Sequence, residues 1–232
     1  MSKPADRPEI DHRTMKAIVG AIAIGLPFIV NAAAEGLESI SEAYHRGGSA
    51  LIWFVGCLFA IAAFLASYNG REKAEPWLSR VAAAAALGVA LFPCACGRAS
   101  SALPGVHAVA AVVMFGVLCV MAIIFYTRAS AKGYPQAAIR KWIYAVCVVV
   151  MLVAMVSVGI DKLVGLNTPR LTFYAESAAL LAFGISWLTA SRILPGLAHR
   201  DERIHPWGVS PPDDLPPGDR PPQAKGLVAQ SA

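Results

Sequence analysis

At 232 residues, with 56% hydrophobic and 15% charged side chains, the chain is too poor in charge to be a soluble domain, whose charged fraction is about a quarter. Its formal charge of +5 would suggest nucleic acid in a soluble protein. Here the basic residues gather in loops between apolar runs, where they report orientation in a bilayer, and no nucleic-acid partner is expected.

Apolar runs that cross about 30 Å of hydrocarbon must satisfy their own backbone hydrogen bonds, and a helix does so. The expected fold class is therefore all-α, a polytopic membrane bundle of six transmembrane helices. Residues 1–13 form a polar amino-terminal segment. The first span, 14–34, contains Pro27, an expected bend. Ala32-Ala33-Ala34 also offers a signal-cleavage pattern, but the run is longer than a signal core and its leader carries acids, so an uncleaved span is expected.

The second span is 49–68, followed by the charged turn NGREKAEP. The third, 77–92, is short for a full crossing, with Pro76 in its first turn and Trp77 at an interface. Its alanine run and Gly88 favour close packing, which predicts a buried central helix. The fourth span is 105–126, the fifth 142–160 after Arg140-Lys141, and the sixth 171–191. Short loops make sequential helices antiparallel neighbours within one transmembrane domain, 14–193.

Of the 20 Lys and Arg, only Arg46, Arg98, Lys162 and Arg170 fall in the first, third and fifth loops. That asymmetry predicts both termini in the cytoplasm. From Pro195 onward a Pro pair recurs in PPDDL, PPGDR and PPQAK, so 194–232 is expected to be a disordered, Pro-rich cytoplasmic tail.

On this topology the outward loops collect the unusual polar residues. Asn31, Glu35, Glu38 and Glu42 have helical spacing, so a continued first helix would align them as a cation site or as a solvated turn, with Glu42 and Arg46 forming an i, i+4 pair. Tyr44 lies in the same loop. Glu176 falls inside the sixth span, where a carboxylate needs a partner or a proton. Arg46, Arg98 and His107 are its candidate partners, and His107 with Glu176 would make an acid/base or proton-binding couple. Cys94 and Cys96 are candidates for a disulfide, for free thiols, or, with His107, for soft-metal ligands. Cys57, Cys119 and Cys147 read as small apolar fillers. No cofactor is expected, and the histidines do not form the facing pair of a haem bundle.

Ser41, Tyr44 and Arg46, then Phe54-Val55-Gly56, Tyr68-Asn69-Gly70, Leu87 to Pro93, His107, and Glu176 with Phe183-Gly184-Ile185-Ser186-Trp187 resemble an uncharacterised bacterial family of six-span membrane proteins. The likeness runs from Thr14 to Ser191 and implies a bacterial inner (plasma) membrane location. More loosely, the chain is similar to the FRAG/DRAM/SFK membrane group, which implies a protein acting on or beside lipids. One departure is Gly47, where the family has an acidic residue after the arginine.

These readings converge on an integral membrane protein with an outer-leaflet polar pocket of Arg46, Arg98, His107 and Glu176, with Glu38, Glu42 and Tyr44 beside it. The pocket would bind a lipid headgroup, an ion or a partner, and membrane lipids, a membrane-protein partner or a second copy are the expected associates. The alternatives are a lipid-modifying intramembrane enzyme using Glu176 and His107, and a proton-coupled transporter.

Overall fold

The computed structural model describes residues 12–70, 73–96, 103, 105–194 and 196–197. The expectations for Arg98, for most of the amino-terminal segment and for most of the tail lie outside the described residues. Seven helices and no strand occur among the described residues: α1 (His12–Ala33), the short α2 (Ala43–Arg46), α3 (Gly48–Ser67), α4 (Ala74–Leu91), α5 (Val106–Ser130), α6 (Pro135–Val164) and α7 (Leu171–Ser191). Five of them, α1, α3, α5, α6 and α7, are long and apolar enough to cross a membrane. The chain is a multi-pass membrane protein. Large apolar side chains such as Ile52, Val109, Val149, Val153 and Val156 cover the outside of the bundle, where only lipid makes their exposure favourable.

The long helices form a closed ring in chain order. Each packs against the next, α3 on α4, α4 on α5, α5 on α6 and α6 on α7, while α1 joins α3 to α7 and closes the circle. Closure rests on two glycines. A Cβ on Gly20 of α1 would stand 2.7 Å from the Gly184 carbonyl oxygen of α7, and one on Gly184 would stand 2.7 Å from that of Gly20. The two backbones touch, as small residues allow in lipid. This makes α7, which contacts α1, α6 and α5, the most enclosed helix, and corrects the expectation for the third span. The corresponding α4 packs mainly on α3 and α5, and shows Trp77, Arg80 and Leu91 to the outside.

Helix ends follow local chemistry. Tyr134 is extended and Pro135 opens α6, as its fixed φ and missing N–H suit a first position. The helix then runs for 30 residues, about 45 Å, so the expected 142–160 is only its apolar middle. It stops where Gly165, at φ 71, donates its N–H to the Asp161 carbonyl at 2.9 Å. Pro27 is buried within α1 and does not end it.

Alternation of direction gives the ring two unlike ends. One carries the α1, α4 and α6 carboxyl ends and is roofed by residues 34–47 and 92–96. The other carries Lys16, Lys73, Arg128, Lys132, Arg140 and Lys141 and is the basic end.

Candidate functional site

The roof begins where α1 fails to continue. Gly36 takes φ 71 and turns the chain, so the four residues Asn31, Glu35, Glu38 and Glu42 do not share one helical face, correcting that expectation. Ser39 then accepts the Glu42 N–H at 3.1 Å and starts a 3-10 turn, Ile40–Glu42. Glu42 reaches back to the Glu38 N–H at 2.7 Å and accepts from Arg46 Nε at 3.1 Å. This is the S-x-x-E logic of a helix start, with the carboxylate satisfying a donor one residue early.

The turn is fastened to α7. The Phe173 N–H donates to the Glu38 carbonyl at 2.9 Å, and the Arg170 N–H donates to Glu38 Oε2 at 2.7 Å. Arg170 itself extends to Asn31 Oδ1 at 3.2 Å, tying the end of α1 to the same place. Leu37 and Ile40 plug the roof from above, both almost fully buried.

Beneath the roof lies a cavity of about 400 Å³ between α5, α6 and α7. That volume is within the range of small-ligand pockets. Its upper end is polar, with Glu38, Ser39, Ser41, His107, Lys162 and Glu176. Its lower wall is apolar, including Ala111, Val112, Phe115, Met155, Val158 and Ala179.

Glu176 and His107 meet at the upper end through a third residue. Glu176 Oε2 accepts the Ile40 N–H at 2.6 Å, and Oε1 lies 3.3 Å from Ser41 Oγ. His107 Nε2 is 3.0 Å from the same hydroxyl, while its Nδ1 donates to the Phe92 carbonyl at 2.8 Å. No basic side chain pairs with Glu176 among the described residues. Ser41, quoted in the sequence only for its resemblance, is therefore the hub. Nothing in a sequence marks a serine on a 3-10 turn as the link between two helices.

The second roof strap, 92–96, hangs on two histidines. His45 Nε2 donates to the Cys94 carbonyl at 2.7 Å, as His107 does to that of Phe92. Cys94 and Cys96 are joined as a disulfide and both line the cavity, with Ser39 Oγ 3.6 Å from Cys96 Sγ. Bonded to each other, they do not present the thiolates that a metal site with His107 requires. Among the described residues, no group of three His, Cys, Asp or Glu is arranged to hold a metal ion.

Other expected site residues lie elsewhere. Arg46 does not line the cavity: it points along the roof to Glu42 and to the Gly36 carbonyl, 3.4 Å away. Glu42 is consumed in the same turn, and Tyr44 packs edge-on to His45. Glu38 does reach the cavity, and Lys162, expected only as a loop charge, lines it because α6 runs past Ile160.

The basic end holds a cluster that sequence reasoning placed in solvent. Glu75, expected in the charged turn, lies in the first turn of α4 and is fully buried. Tyr68 Oη donates to its Oε2 at 2.8 Å, Arg128 Nη1 donates to the same oxygen at 3.1 Å, and Arg128 Nη2 pairs with Oε1. Lys16 sits over the rings of Tyr68 and Phe125, both packed on Trp187. The available signal was the Tyr68–Glu75 spacing across a turn too short to leave α3 and α4 apart.

A family model described as protein of unknown function (DUF998) matches residues 48–186. No curated protein and no solved structure matches the chain.

Proposed function

The chain belongs to the DUF998 family, described as proteins of unknown function, so its role is argued from its own pocket: we propose a six-span protein of the bacterial inner membrane that holds an amphiphile near the outer leaflet. The sixth span is α4, which at 18 residues is about 27 Å long and sits in the ring between two membrane-length helices. Its one buried charge, Glu75, is met by Arg128. Six spans would leave both termini on one side, and the basic residues gathered at that end support a cytoplasmic side for them.

The observation that carries the reading is the polarity of the cavity: an acid, a base and hydroxyls at the roof, and alanine, valine, methionine and phenylalanine below. A lipid has the same polarity, with its headgroup at the bilayer surface and its chain inward. Ala111→Trp fills the lower wall without touching the roof. Native mass spectrometry of the folded variant is expected to show loss of lipid that co-purifies with the parent protein. Equal lipid retention in both would overturn the reading.

A second reading, an enzyme acting on the bound lipid, is favoured by one contact, Ser41 Oγ at 3.0 Å from His107 Nε2 with the ring held from behind by a carbonyl. Fluorophosphonate labelling of Ser41 that disappears in His107→Gln is its expected sign. An unlabelled Ser41 in folded protein removes it.

A further inference from the structure

Hydrogen counting at the cavity roof goes beyond the binding of an amphiphile. The Phe92 carbonyl only accepts, so His107 Nδ1 carries a hydrogen. Two contacts remain, Nε2 to Ser41 Oγ and Ser41 Oγ to Glu176 Oε1, and each needs a hydrogen between its heavy atoms. Ser41 supplies one. The other comes from Glu176 as a carboxylic acid or from His107 as an imidazolium. With Glu176 ionised and His107 neutral, one of the two contacts sets lone pair against lone pair.

We infer that Glu176, Ser41 and His107 form a site for one transferable proton, and that the pocket takes up this proton when it binds a single-chain amphiphile with an anionic headgroup. In one form the order is Glu176–OH, Ser41 O–H, His107 Nε2. In the other, Nε2–H donates to Ser41 Oγ, whose own hydrogen points to the Glu176 carboxylate. The forms interconvert when each hydrogen moves one place through the hydroxyl, with no atom gained or lost. Neither form carries net charge, whereas loss of the proton leaves a carboxylate facing the cavity.

The charges around the relay decide the sign. From α6 comes Lys162, on the cavity wall. From the roof comes Glu38, engaged with the Arg170 N–H, while Glu42 is paired with Arg46 and His45 is held on the Cys94 carbonyl. From the α7 start, Arg170 is directed to Asn31, and Asp161 of α6 accepts the Thr168 N–H at 3.0 Å. Among the described residues, Lys162 is the one cation on the cavity wall. An anionic headgroup drawn to it meets repulsion from an ionised Glu176 and none from the protonated relay, so binding and protonation favour one another.

The test uses decanesulfonate, whose headgroup stays ionised, with decanol as the uncharged arm, both added below denaturing concentration to full-length protein in nanodiscs. Titration calorimetry in buffers of different ionisation enthalpy, run at a pH above that at which the ligand-free relay has released its proton, is expected to show about one proton taken up per sulfonate and none per decanol. Sulfonate affinity should fall about tenfold per pH unit once the relay loses its proton. The near-isosteric Glu176→Gln should bind sulfonate with neither proton uptake nor that pH dependence.

Zero uptake in the parent protein, or equal uptake in Glu176→Gln, overturns the inference. Nitrogen NMR of His107 adds a ligand-free readout, since its signal should follow the Glu176 titration in the parent protein and not in Ser41→Ala; an identical response in both also overturns it. The inference rests on the amphiphile reading, and the two fail differently. Lipid retention without proton uptake removes the inference alone, whereas no binding of sulfonate, decanol or native lipid removes both.

Discussion

Each end of the ring holds an acid within a helix, Glu75 in α4 and Glu176 in α7, and the two are treated in opposite ways. At the basic end, Glu75 receives a forked guanidinium and a phenol, and aromatic rings seal it. At the roofed end, Glu176 receives a backbone N–H and shares a serine with a histidine, and it borders a cavity. A charge that is matched and sealed holds helices together. An acid without a basic partner, beside open volume, does not hold helices together by charge. The contrast is between an acid enclosed by its partners and one that borders a cavity.

The sharpest way to break this comparison is to remove the match at the basic end. Arg128→Ala strands Glu75 in a fully buried position, and a loss of about 3–5 kcal/mol is expected in chemical unfolding from mild detergent. The double variant Glu75→Gln with Arg128→Met should recover much of that loss. A single variant within 1 kcal/mol of the parent, by the ~1 kcal/mol scale of an ordinary hydrogen bond, would show that Glu75 is not held by charge.

Next in size is the crossing that closes the ring. Gly184→Ala puts a methyl against the Gly20 carbonyl oxygen and Ile24, and a loss of about 1–3 kcal/mol is expected from overpacking. The measurement is the unfolding midpoint, with a cross-link between α1 and α7 reporting whether the contact persists.

At the roofed end the expected effects are smaller, which is what the comparison requires. Glu176→Gln keeps an acceptor for the Ile40 N–H and should cost about 1 kcal/mol or less while changing what the pocket binds. Should Glu176→Gln destabilise as much as Arg128→Ala, the two acids are alike and the comparison falls. The smallest effect belongs to Arg46→Ala. Its ion pair with Glu42 is exposed, and the expected loss in the same unfolding measurement is within about 0.5 kcal/mol.

What the sequence makes legible follows the physics of the solvent. In lipid a helix is written in composition, so Gly48–Ser67 and Leu171–Ser191 lie within a residue of the runs 49–68 and 171–191. Where water begins, composition says less, and α6 continues well past its apolar middle to carry Lys162 into the cavity wall. The i, i+4 spacing of Glu42 and Arg46 forecasts their pairing, and that pairing is what keeps Arg46 out of the cavity. Glu75 and Arg128 are far apart in the chain and join only because α4 and α5 are ring neighbours. Ser41 has no pattern of its own. Its importance comes from lying where a turn, the start of α5 and the first turns of α7 converge.

The contact between Gly20 and Gly184 joins the first long helix of the described residues to the last. The helix that completes the circle is the last among the described residues, so a chain translated only to its start can form no more than an open arc. Without α7 the cavity lacks the wall formed by Thr172, Ala175, Glu176 and Ala179, and Trp187 is missing from beside Tyr68 and Phe125. The ring can therefore close only late in a nascent chain. An arrest placed just before Leu171 would leave an intermediate with an open seam, suited to recognition by quality-control machinery.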